Sequence, residues 1–365
     1  MSETTLVTGA TGFLGSHLIS LLQGRRPLRV LTRAATPSLA ATGAEIVEGS
    51  LLDRQTLAES LRGVQKVYHA AGLVSSLPEA ESEMYRVHVD GTRMLFEEAR
   101  KAGVSRILLV SSSGTIAVTK EEAISDESAP YRLETVRRWP YYLSKIFQEK
   151  LALQMAAEGG PEVVIVNPSL LLGPGDLRLS STEDVLRFLR GEIPFLPSGG
   201  ISFVDARDAA AGAVLAMERG RASRRYLLAS ANWPLETFFQ RLGRIAGMRP
   251  PSFRVPDRLA RMGAKLLARA SRKGTAIDPV RVEMSQHFWY CDASRAKAEL
   301  AWEPRDPMET LEDTVADLRL RYFGAPPRRP RPRSHLDSLV AQALEKAEPE
   351  EAAPALAGTK PRRRR

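Results

Sequence analysis

Cysteine is almost absent from this sequence, since Cys291 is the only one in 365 residues. An intrachain disulfide is therefore impossible, which is typical of proteins that stay in a reducing compartment. The first residues also lack the basic and apolar segments of a secretion signal. No uninterrupted apolar run approaches the ~20 residues that a membrane-spanning helix needs. We therefore expect a cytoplasmic protein without a transmembrane segment.

Aromatic residues are also scarce, at 6% of the chain, yet 43% of all residues are hydrophobic. Leucine, valine and alanine must therefore supply most of the core volume. The length exceeds what one typical domain needs, and it fits an α/β domain that carries a second, smaller lobe.

The sequence also lacks an excess of acidic residues, because its net charge is +9. More than half of this charge lies in residues 326–365, which hold ten Lys or Arg against five Asp or Glu. The basicity thus belongs mainly to the C-terminal tail and says little about the rest of the chain. The tail fits either contact with nucleic acid or acidic lipid or a solvated extension. We favour the extension and predict no specific nucleic-acid partner.

Glycine is concentrated in residues 4–22, where a short apolar run meets a turn that opens into a helical pattern. Gly9, Gly12 and Gly15 follow a G-x-x-G-x-x-G spacing. Gly9 allows a sharp turn, Gly12 lets a diphosphate approach the backbone, and Gly15 lets the helix pack close to the sheet. The free N–H groups at the helix start attract phosphate. This stretch favours dinucleotide binding over a tight turn without a ligand.

Strands and helices alternate through residues 1–166. Strands are predicted at 28–31, 45–47, 66–69, 106–110 and 163–166, and long helices at 84–101 and 141–157. On the first of these helices we expect Val87, Met94, Leu95 and Ala99 to point inward. Such alternation predicts a doubly wound parallel sheet, the Rossmann arrangement, with ligand at the carboxyl ends of the strands.

The alternation ends at residue 167, and residues 167–325 are predicted to be mainly a smaller substrate-binding lobe, with some segments returning to the sheet. Helices are expected at 183–190, 208–217, 235–246 and 256–270. The last of these has a basic face, which fits a membrane-surface helix or, as we favour, an ordinary amphipathic helix. Residues 326–365 are rich in proline and arginine. They are predicted to bury no core and to be disordered, apart from a short possible helix near 336–346.

Tyr141 and Lys145 are four residues apart, a spacing that places both on one face of a helix. A cation beside a phenol favours the phenolate and lowers its pKa from about 10, so that tyrosine can act as an acid or base. Taken alone, the Y-x-x-x-K pattern also occurs by chance on ordinary helices. Tyr142 is out of register with Lys145, so we expect it to be a packing or substrate-wall residue.

A serine triplet, residues 111–113, follows the predicted strand 106–110. A hydroxyl at the carboxyl end of a strand can stabilise a developing oxyanion, although serines there also serve as turn or capping residues. The combination of glycine turn, serines and Y-x-x-x-K pair is much rarer than any one of them.

With these motifs the chain resembles the extended short-chain dehydrogenases/reductases, the NAD-dependent epimerase/dehydratase family, and especially its dihydroflavonol reductase and 3β-hydroxysteroid dehydrogenase branch. The matching segments are TGATGFLG (8–15), HAAG (69–72), VDGT (89–92), VSSS (110–113), YYLSK (141–145), VNPSLLLGPGD (166–176) and FVDARDAA (203–210).

The resemblance implies roles for three catalytic residues. Tyr141 would transfer the proton, and Lys145 would hold both the tyrosine and the nicotinamide ribose. A serine would polarise the carbonyl. The spacing to residues 116–118 favours Ser113, whereas counting from the strand end allows Ser112.

The resemblance also implies a set of cofactor contacts. They are Gly9, Thr11, Gly12, Phe13, Leu14, Gly15, Arg33, Leu52, Asp53, Ala70, Ala71, Gly72, Tyr141, Lys145 and Pro168. Asp53 has two readings of equal weight, contact with the adenine amine and the cap of a following helix.

The sequence departs from the family pattern at two positions. Relatives usually carry asparagine where His88 stands, and often aspartate where Ser50 stands. We expect His88 to keep a structural hydrogen bond to the backbone, with a catalytic histidine as the lesser alternative.

Arg33 decides our prediction of the cofactor. NAD enzymes place an acid at the end of the second strand to bind the ribose hydroxyls. Here the chain has Thr32 and Arg33, and an arginine matches a 2′-phosphate through bidentate hydrogen bonds. We predict NADP rather than NAD, the alternative being that Arg33 is a solvated surface residue.

The sequence therefore predicts an oxidoreductase that uses NADP(H) to reduce a ketone or aldehyde, or to oxidise the corresponding secondary alcohol. The alternatives are a nucleotide-sugar epimerase or dehydratase with tightly bound NAD, and a non-catalytic NADP(H)-binding regulatory protein. The expected partner is a small carbonyl or alcohol, and no metal site is predicted. A homodimer is implied only by the resemblance, because members of the family often dimerise.

Overall fold

A computed structural model describes residues 4–75, 78–193, 195–196, 198–251, 279–325 and 335–346. Its main sheet contains β1 (Thr4–Thr8), β2 (Leu28–Thr32), β3 (Glu45–Glu48), β4 (Val64–His69), β5 (Arg106–Val110), β6 (Glu162–Pro168) and β9 (Arg225–Leu228). These strands are all parallel and are hydrogen-bonded in the order β3-β2-β1-β4-β5-β6-β9. The reversal of direction beside β1 confirms the predicted doubly wound sheet.

Helices cover both faces of this sheet, because its central strands are apolar on both sides. The helices of this region are α1 (Phe13–Leu22), α2 (Pro37–Ala40), α3 (Arg54–Ser60), α4 (Glu81–Tyr85), α5 (Gly91–Ala102), α6 (Leu133–Val136) and α7 (Pro140–Ala157). On one face α1 packs with a later helix, α9 (Ala206–Arg219), and the opposite face is covered by α3, α5 and α7.

The smaller lobe is built on a three-stranded sheet. Its strands are β7 (Leu170–Leu172), β8 (Gly200–Asp205) and β10 (Ala231–Pro234), with β8 in the middle. Its helices are α8 (Glu183–Leu189), α10 (Leu235–Ala246), α11 (Pro279–Met284) and α13 (Pro307–Phe323), and α12 (Ser294–Leu300) packs on α9. The helix predicted at 208–217 in the lobe forms part of α9, which packs on the main sheet. The strand β9 joins the edge of the same sheet, so both segments belong to the main sheet rather than to the lobe.

The predicted helix 84–101 is interrupted by a wide, π-type turn at Arg86–Asp90, between α4 and α5. The wide turn shifts the helical register, so that His88 and Thr92 are buried whereas Val87 and Met94 are only half-buried. Of the four side chains expected to point inward, Leu95 and Ala99 are buried and Met94 is half-buried against the same core, so the expectation fails only for Val87, while the polar His88 and Thr92 are buried. Wide turns of this kind are frequent at functional sites.

The predicted disordered tail also contains a structured segment, α14 (His335–Lys346). Four side chains on one face of α14 join the core beside α9: Leu336, Val340, Ala343 and Leu344. Arg26 donates a hydrogen bond to the carbonyl of Leu344 at 3.4 Å. The expectation that residues 326–365 bury no core is thus wrong for α14, because its amphipathic pattern finds an apolar surface on α9.

Two further expectations concern the basic helix and a membrane-spanning segment. The predicted helix 256–270 with its basic face lies outside the described residues. Among the residues that the structure does describe, no helix is long and apolar enough to cross a membrane.

Candidate active site

The glycine turn after β1 is shaped by close backbone contacts. Gly9 has a φ of +77°, and a Cβ there would lie 2.5 Å from the backbone nitrogen of Ala71. A Cβ on Gly15 would lie 2.0 Å from the carbonyl oxygen of Gly9. Since real Cβ atoms do not approach so closely, glycine is required at both positions, and the turn lies directly against the loop that follows β4.

The start of α1 fits an anionic group. Gly12 is the N-cap, no side chain caps the N–H groups, and the first turn carries no acidic residue. These free donors and the helix dipole suit a diphosphate. Phe13 and Leu14 are buried behind them, while Thr11 is half-buried and accepts a hydrogen bond from Arg178 at 3.4 Å.

Arg178 is a cation near this turn that the sequence reasoning did not identify. It is exposed and belongs to the loop after β7. Asp176 organises that loop by accepting hydrogen bonds from Ser180, Ser181 and Thr182. The lobe thereby brings a guanidinium group to the glycine turn.

The end of β2 lies beside the glycine turn, because β2 and β1 are paired neighbours. Arg33 is exposed there, and it has no ion-pair partner in the described part of the chain. The carboxylate of Glu48, at the end of β3, accepts the backbone N–H of Ala35 at 3.0 Å. The Arg33 guanidinium is thus free to meet an anionic ligand at this edge.

Asp53 is the N-cap of α3, accepting hydrogen bonds from the backbone of Gln55 and the hydroxyl of Thr56. These bonds, led by Thr56, hold the pKa of Asp53 below its usual value. The helix-cap reading is therefore confirmed, while contact with adenine stays a prediction. The neighbouring Leu52 is half-buried, and its N–H donates to the hydroxyl of Ser50 at 3.1 Å.

Lys145 is buried on α7 and points to the carboxyl end of β5. Its ammonium group donates to the carbonyl of Val110 and to the side-chain oxygen of Gln148, both at 2.9 Å. Burial lowers the pKa of Lys145 to about 8, and the nearby carboxylate of Glu149 opposes this fall. The ammonium is held at the sheet edge by neutral groups.

Tyr141 is half-buried one turn before Lys145. Burial raises the pKa of its phenol to about 12, and a hydrogen bond with Ser112 works against the rise. Our expectation of a lowered pKa is therefore wrong for this state, since the Lys145 ammonium donates to Val110 and Gln148 rather than to the phenol. A phenol of this kind carries its proton at neutral pH and can act as an acid.

The two candidate serines have different surroundings. Ser112 is half-buried, and its hydroxyl is the one that approaches Tyr141. Ser113 is buried, and its hydroxyl faces the thiol of Cys291. The turn that follows β5, Ser113–Thr115, sets these directions. The geometry therefore favours Ser112, which the strand-end count allowed, over Ser113.

His88 accepts a hydrogen bond from the N–H of Leu73 on Nε2 at 3.0 Å, and its Nδ1 lies 2.8 Å from the hydroxyl of Ser144. Because a backbone N–H can only donate, the ring proton must be on Nδ1. Burial, aided by Lys145 and His69, lowers the pKa of His88 to about 2. The predicted structural hydrogen bond to the backbone is confirmed, and it joins the loop after β4 to α7.

His69 forms a second buried link behind Lys145. Its ring nitrogens meet the hydroxyls of Thr8 at 2.8 Å and Thr92 at 2.9 Å, and Gln148 donates to Thr92 at 2.8 Å. Burial, helped by Lys145, lowers the pKa of His69 to about 3. A neutral polar network therefore runs from β1 to the lysine.

Gly72 lies between the glycine turn and the site residues on α7. A Cβ at this position would lie 3.0 Å from His88 Nε2 and 3.6 Å from the Lys145 ammonium. Ala70 and Ala71 lie between Gly72 and Gly9, and Pro168 is buried at the end of β6. The glycine turn and the α7 residues therefore share one edge of the sheet.

A cluster of aromatic rings begins beside Tyr141. The ring of Tyr142 lies 5.0 Å from the rings of both Tyr141 and Trp289, and Trp139 stacks on Trp289 at 5.6 Å. A Cβ on Gly114 would lie 2.3 Å from Tyr142 and 2.9 Å from Trp289. The serine turn thus lies directly against an aromatic wall that includes Tyr142, as we expected for that residue.

Glu149 is a buried residue of this site that the sequence reasoning missed. Its carboxylate accepts hydrogen bonds from Ser111, Thr115 and Asn167. The signal was present in the sequence, because Tyr141, Lys145 and Glu149 follow one another at intervals of four.

Comparison with known proteins places the chain among nucleotide-dependent enzymes. The model of the NAD dependent epimerase/dehydratase family matches residues 5–229. A putative dihydroflavonol 4-reductase of Synechocystis is 34% identical over 327 residues, which cover 86% of this chain and 94% of that protein. Sterol demethylase protein B of Methylococcus capsulatus is 32% identical over 329 residues, or 87% and 99% of the two chains. The crystal structure of gox2253 has a TM-score of 0.76 at 30% identity and covers 88% and 99%.

Proposed function

Because this chain belongs to the NAD-dependent epimerase/dehydratase family, we propose that it is an NADPH-dependent reductase of a ketone or aldehyde. As a member it is an NAD(P)-dependent oxidoreductase of the extended short-chain dehydrogenase/reductase type. The observation that carries the proposal is the meeting of Ser112 and Tyr141 beside the buried Lys145, at the edge that also holds the glycine turn. The reverse reaction would oxidise the corresponding secondary alcohol.

Three side chains contribute to the protonation of the substrate oxygen. NADPH, when bound, supplies the hydride. Tyr141 carries a proton at neutral pH and donates it to the carbonyl oxygen of the substrate, while Ser112 donates a hydrogen bond to the same oxygen. The Lys145 ammonium, one helical turn away, stabilises the phenolate that remains. The backbone N–H groups at the start of α1 would hold the diphosphate.

NADP(H) is our proposed cofactor because Arg33 lies at the end of β2 without an acidic partner in the described chain, and Arg178 adds a second cation near the turn. Replacing Arg33 with alanine should lower kcat/KM for NADPH about tenfold or more, the loss of one charge-assisted phosphate contact. The value for NADH should change little. Steady-state rates with both cofactors test this, and equal losses for the two cofactors would contradict it.

An apolar, ring-bearing carbonyl is the substrate class that we propose. The wall formed by Tyr142, Trp139 and Trp289 supports it, since aromatic rings pack well on planar groups. The similarity to proteins named as a dihydroflavonol reductase and a sterol demethylase component points the same way.

The function is tested by incubating the pure protein with NADPH and a panel of carbonyl compounds while the absorbance of the reduced cofactor is followed. Stoichiometric NADPH consumption is the expected result. A tightly bound NAD that survives purification, with no need for added cofactor, would instead favour an epimerase. NADPH binding without turnover across the panel would favour a regulatory protein. Cytoplasmic location and homodimer formation stay predictions.

A further inference from the structure

The carboxylate of Glu149 is fully buried and collects an unusual number of donors. Its Oε1 accepts hydrogen bonds from Ser111 at 2.5 Å, Asn167 at 2.7 Å and Thr115 at 3.0 Å. Its Oε2 accepts from the phenol of Tyr131 at 3.2 Å. A buried charge is retained only where several donors replace the lost water, and here four do so.

Three of these donors control the turn that carries Ser112. Ser111 precedes Ser112 and Thr115 ends the turn that follows it, and Glu149 on α7 accepts hydrogen bonds from both. Asn167, at the end of β6, donates to Glu149 and also to the carbonyl of Ser112 at 3.0 Å. The carboxylate therefore ties the serine turn to the helix that bears Tyr141.

Glu149 also balances the charge of Lys145. The two residues are one turn apart on α7, and the ammonium makes hydrogen bonds only to neutral groups among the described residues. The other titratable groups around the lysine are Tyr141 on the same helix and the neutral rings of His69 and His88.

The carboxylate also has a cation at ion-pair distance. Arg225 lies 3.9 Å away and places its guanidinium over the ring of Tyr131, 4.8 Å from the centroid. Of the groups that act on Lys145, Glu149 is the one whose charge favours the ammonium form.

We propose that Glu149 is a positioning residue for the reductase reaction, which directs Ser112 toward Tyr141 and keeps the ammonium of Lys145 charged. This inference rests on the proposed function, because its kinetic part requires a turnover to measure. Its electrostatic part is measurable without cofactor or substrate.

Glu149→Gln separates the charge from the hydrogen bonds, because glutamine keeps one acceptor oxygen and nearly the same volume. The ionisation of Lys145 can be followed by NMR of ¹⁵N-labelled lysine, with Lys145→Met to assign its signal. We expect the midpoint to fall by about one pH unit in Glu149→Gln. The descending limb of the pH profile of kcat should move down by the same amount, so that kcat near pH 7.5 falls about threefold and recovers at lower pH.

Glu149→Ala removes the acceptor as well, so Ser112 should lose its alignment. We expect kcat to fall about tenfold or more at every pH, with KM for NADPH changed less than about twofold. The matched control is Glu127→Gln. Glu127 is likewise buried, and its partners lie on other elements, since it accepts the N–H of Leu227 on β9 and pairs with Arg295 of α12 at 3.6 Å. This control should leave the Lys145 midpoint and the pH profile unchanged.

An unchanged Lys145 midpoint in Glu149→Gln would overturn the proposal, as would an equal shift in Glu127→Gln. A pH profile that stays in place while the lysine midpoint moves would overturn its catalytic part. If the wild-type protein reduces no carbonyl but Glu149→Gln still shifts the lysine midpoint, the electrostatic role of Glu149 stands and the proposed function fails.

Discussion

The two faces of the main sheet are covered in contrasting ways. On one face α1 and α9 pack through apolar and small side chains, and α14 adds a further layer beside α9. On the other face α7 buries Ser144, Lys145, Gln148 and Glu149 among its apolar residues. The first face is therefore an ordinary hydrophobic core, whereas the second devotes buried positions to polar groups that need partners.

Alanine explains how the apolar face packs so closely. Eleven side chains or glycines of α9 are buried, and most of them are small. Small residues allow a helix to approach its neighbours, and the buried area on this face stabilises the fold by roughly 25 cal/mol per Å² of apolar surface. Both faces therefore contribute apolar core, but the buried polar groups of the candidate site lie on the α7 side.

The largest effect expected from this contrast concerns Tyr141 on the polar face. Tyr141→Phe removes the proton donor but keeps the ring contacts, so kcat should fall by about 10²–10⁴-fold. Binding of NADPH, measured by fluorescence titration, and the melting temperature should stay close to wild type.

Tyr142→Phe is the matched control for this change, because the neighbouring residue contributes its ring to the aromatic wall. Its kcat should stay within about threefold of wild type. Normal turnover in Tyr141→Phe would refute the assignment of the acid.

The next effect concerns the apolar face and should change stability alone. A chain that ends at Ala325 loses α14 and exposes the α9 surface that Leu336, Val340 and Leu344 cover. We expect the free energy of unfolding to fall by at least about 3 kcal/mol, while kcat at low temperature stays unchanged. Denaturant titration measures the first quantity.

A chain that ends at Lys346 keeps α14 and serves as the control for this truncation. It should retain the wild-type stability. Equal stability of the two truncated chains would show that α14 adds nothing to the apolar core.

The smallest expected effect is a change with pH in the free energy of unfolding, which depends on buried histidines of the polar face. Buried His69 and His88 have pKa values of about 3 and about 2, below their ordinary value of 6.5. As the pH falls below about 6.5, the unfolded chain binds protons that the folded chain does not, so stability decreases. The loss should be about 1 kcal/mol per histidine at pH 5.5.

His88→Asn should remove its share of this acid-induced loss, measured as the difference in unfolding free energy between pH 7 and pH 5.5. Replacement of the exposed His335 with asparagine is the control and should leave the loss unchanged. If His88→Asn retains the full pH dependence, the neutral ring is not what acid disrupts.

Local sequence signals predicted the parts of the fold that depend on neighbouring residues. The glycine spacing at Gly9 and Gly15 identified a turn whose backbone excludes any Cβ. The apolar run 106–110 identified β5 with its observed bounds, and the helix 235–246 is α10. In each case the backbone requirement or the periodicity lies within a few residues.

The features that sequence did not reveal depend on distant contacts. Choosing Ser112 over Ser113 requires the direction of a short turn, which Glu149 and Asn167 hold from other elements. The burial of α14 requires a complementary surface on α9, far away in the chain. The lowered pKa expected for Tyr141 failed because burial outweighs a cation whose hydrogen bonds go elsewhere.

The absence of a side chain at Gly114 limits which substitutions this position of the enzyme can accept. Any larger residue there must displace Tyr142 or Trp289, because both rings already occupy the space that a Cβ would need. Tyr142 in turn borders Tyr141. The size of residue 114 therefore determines how much space remains beside Tyr141.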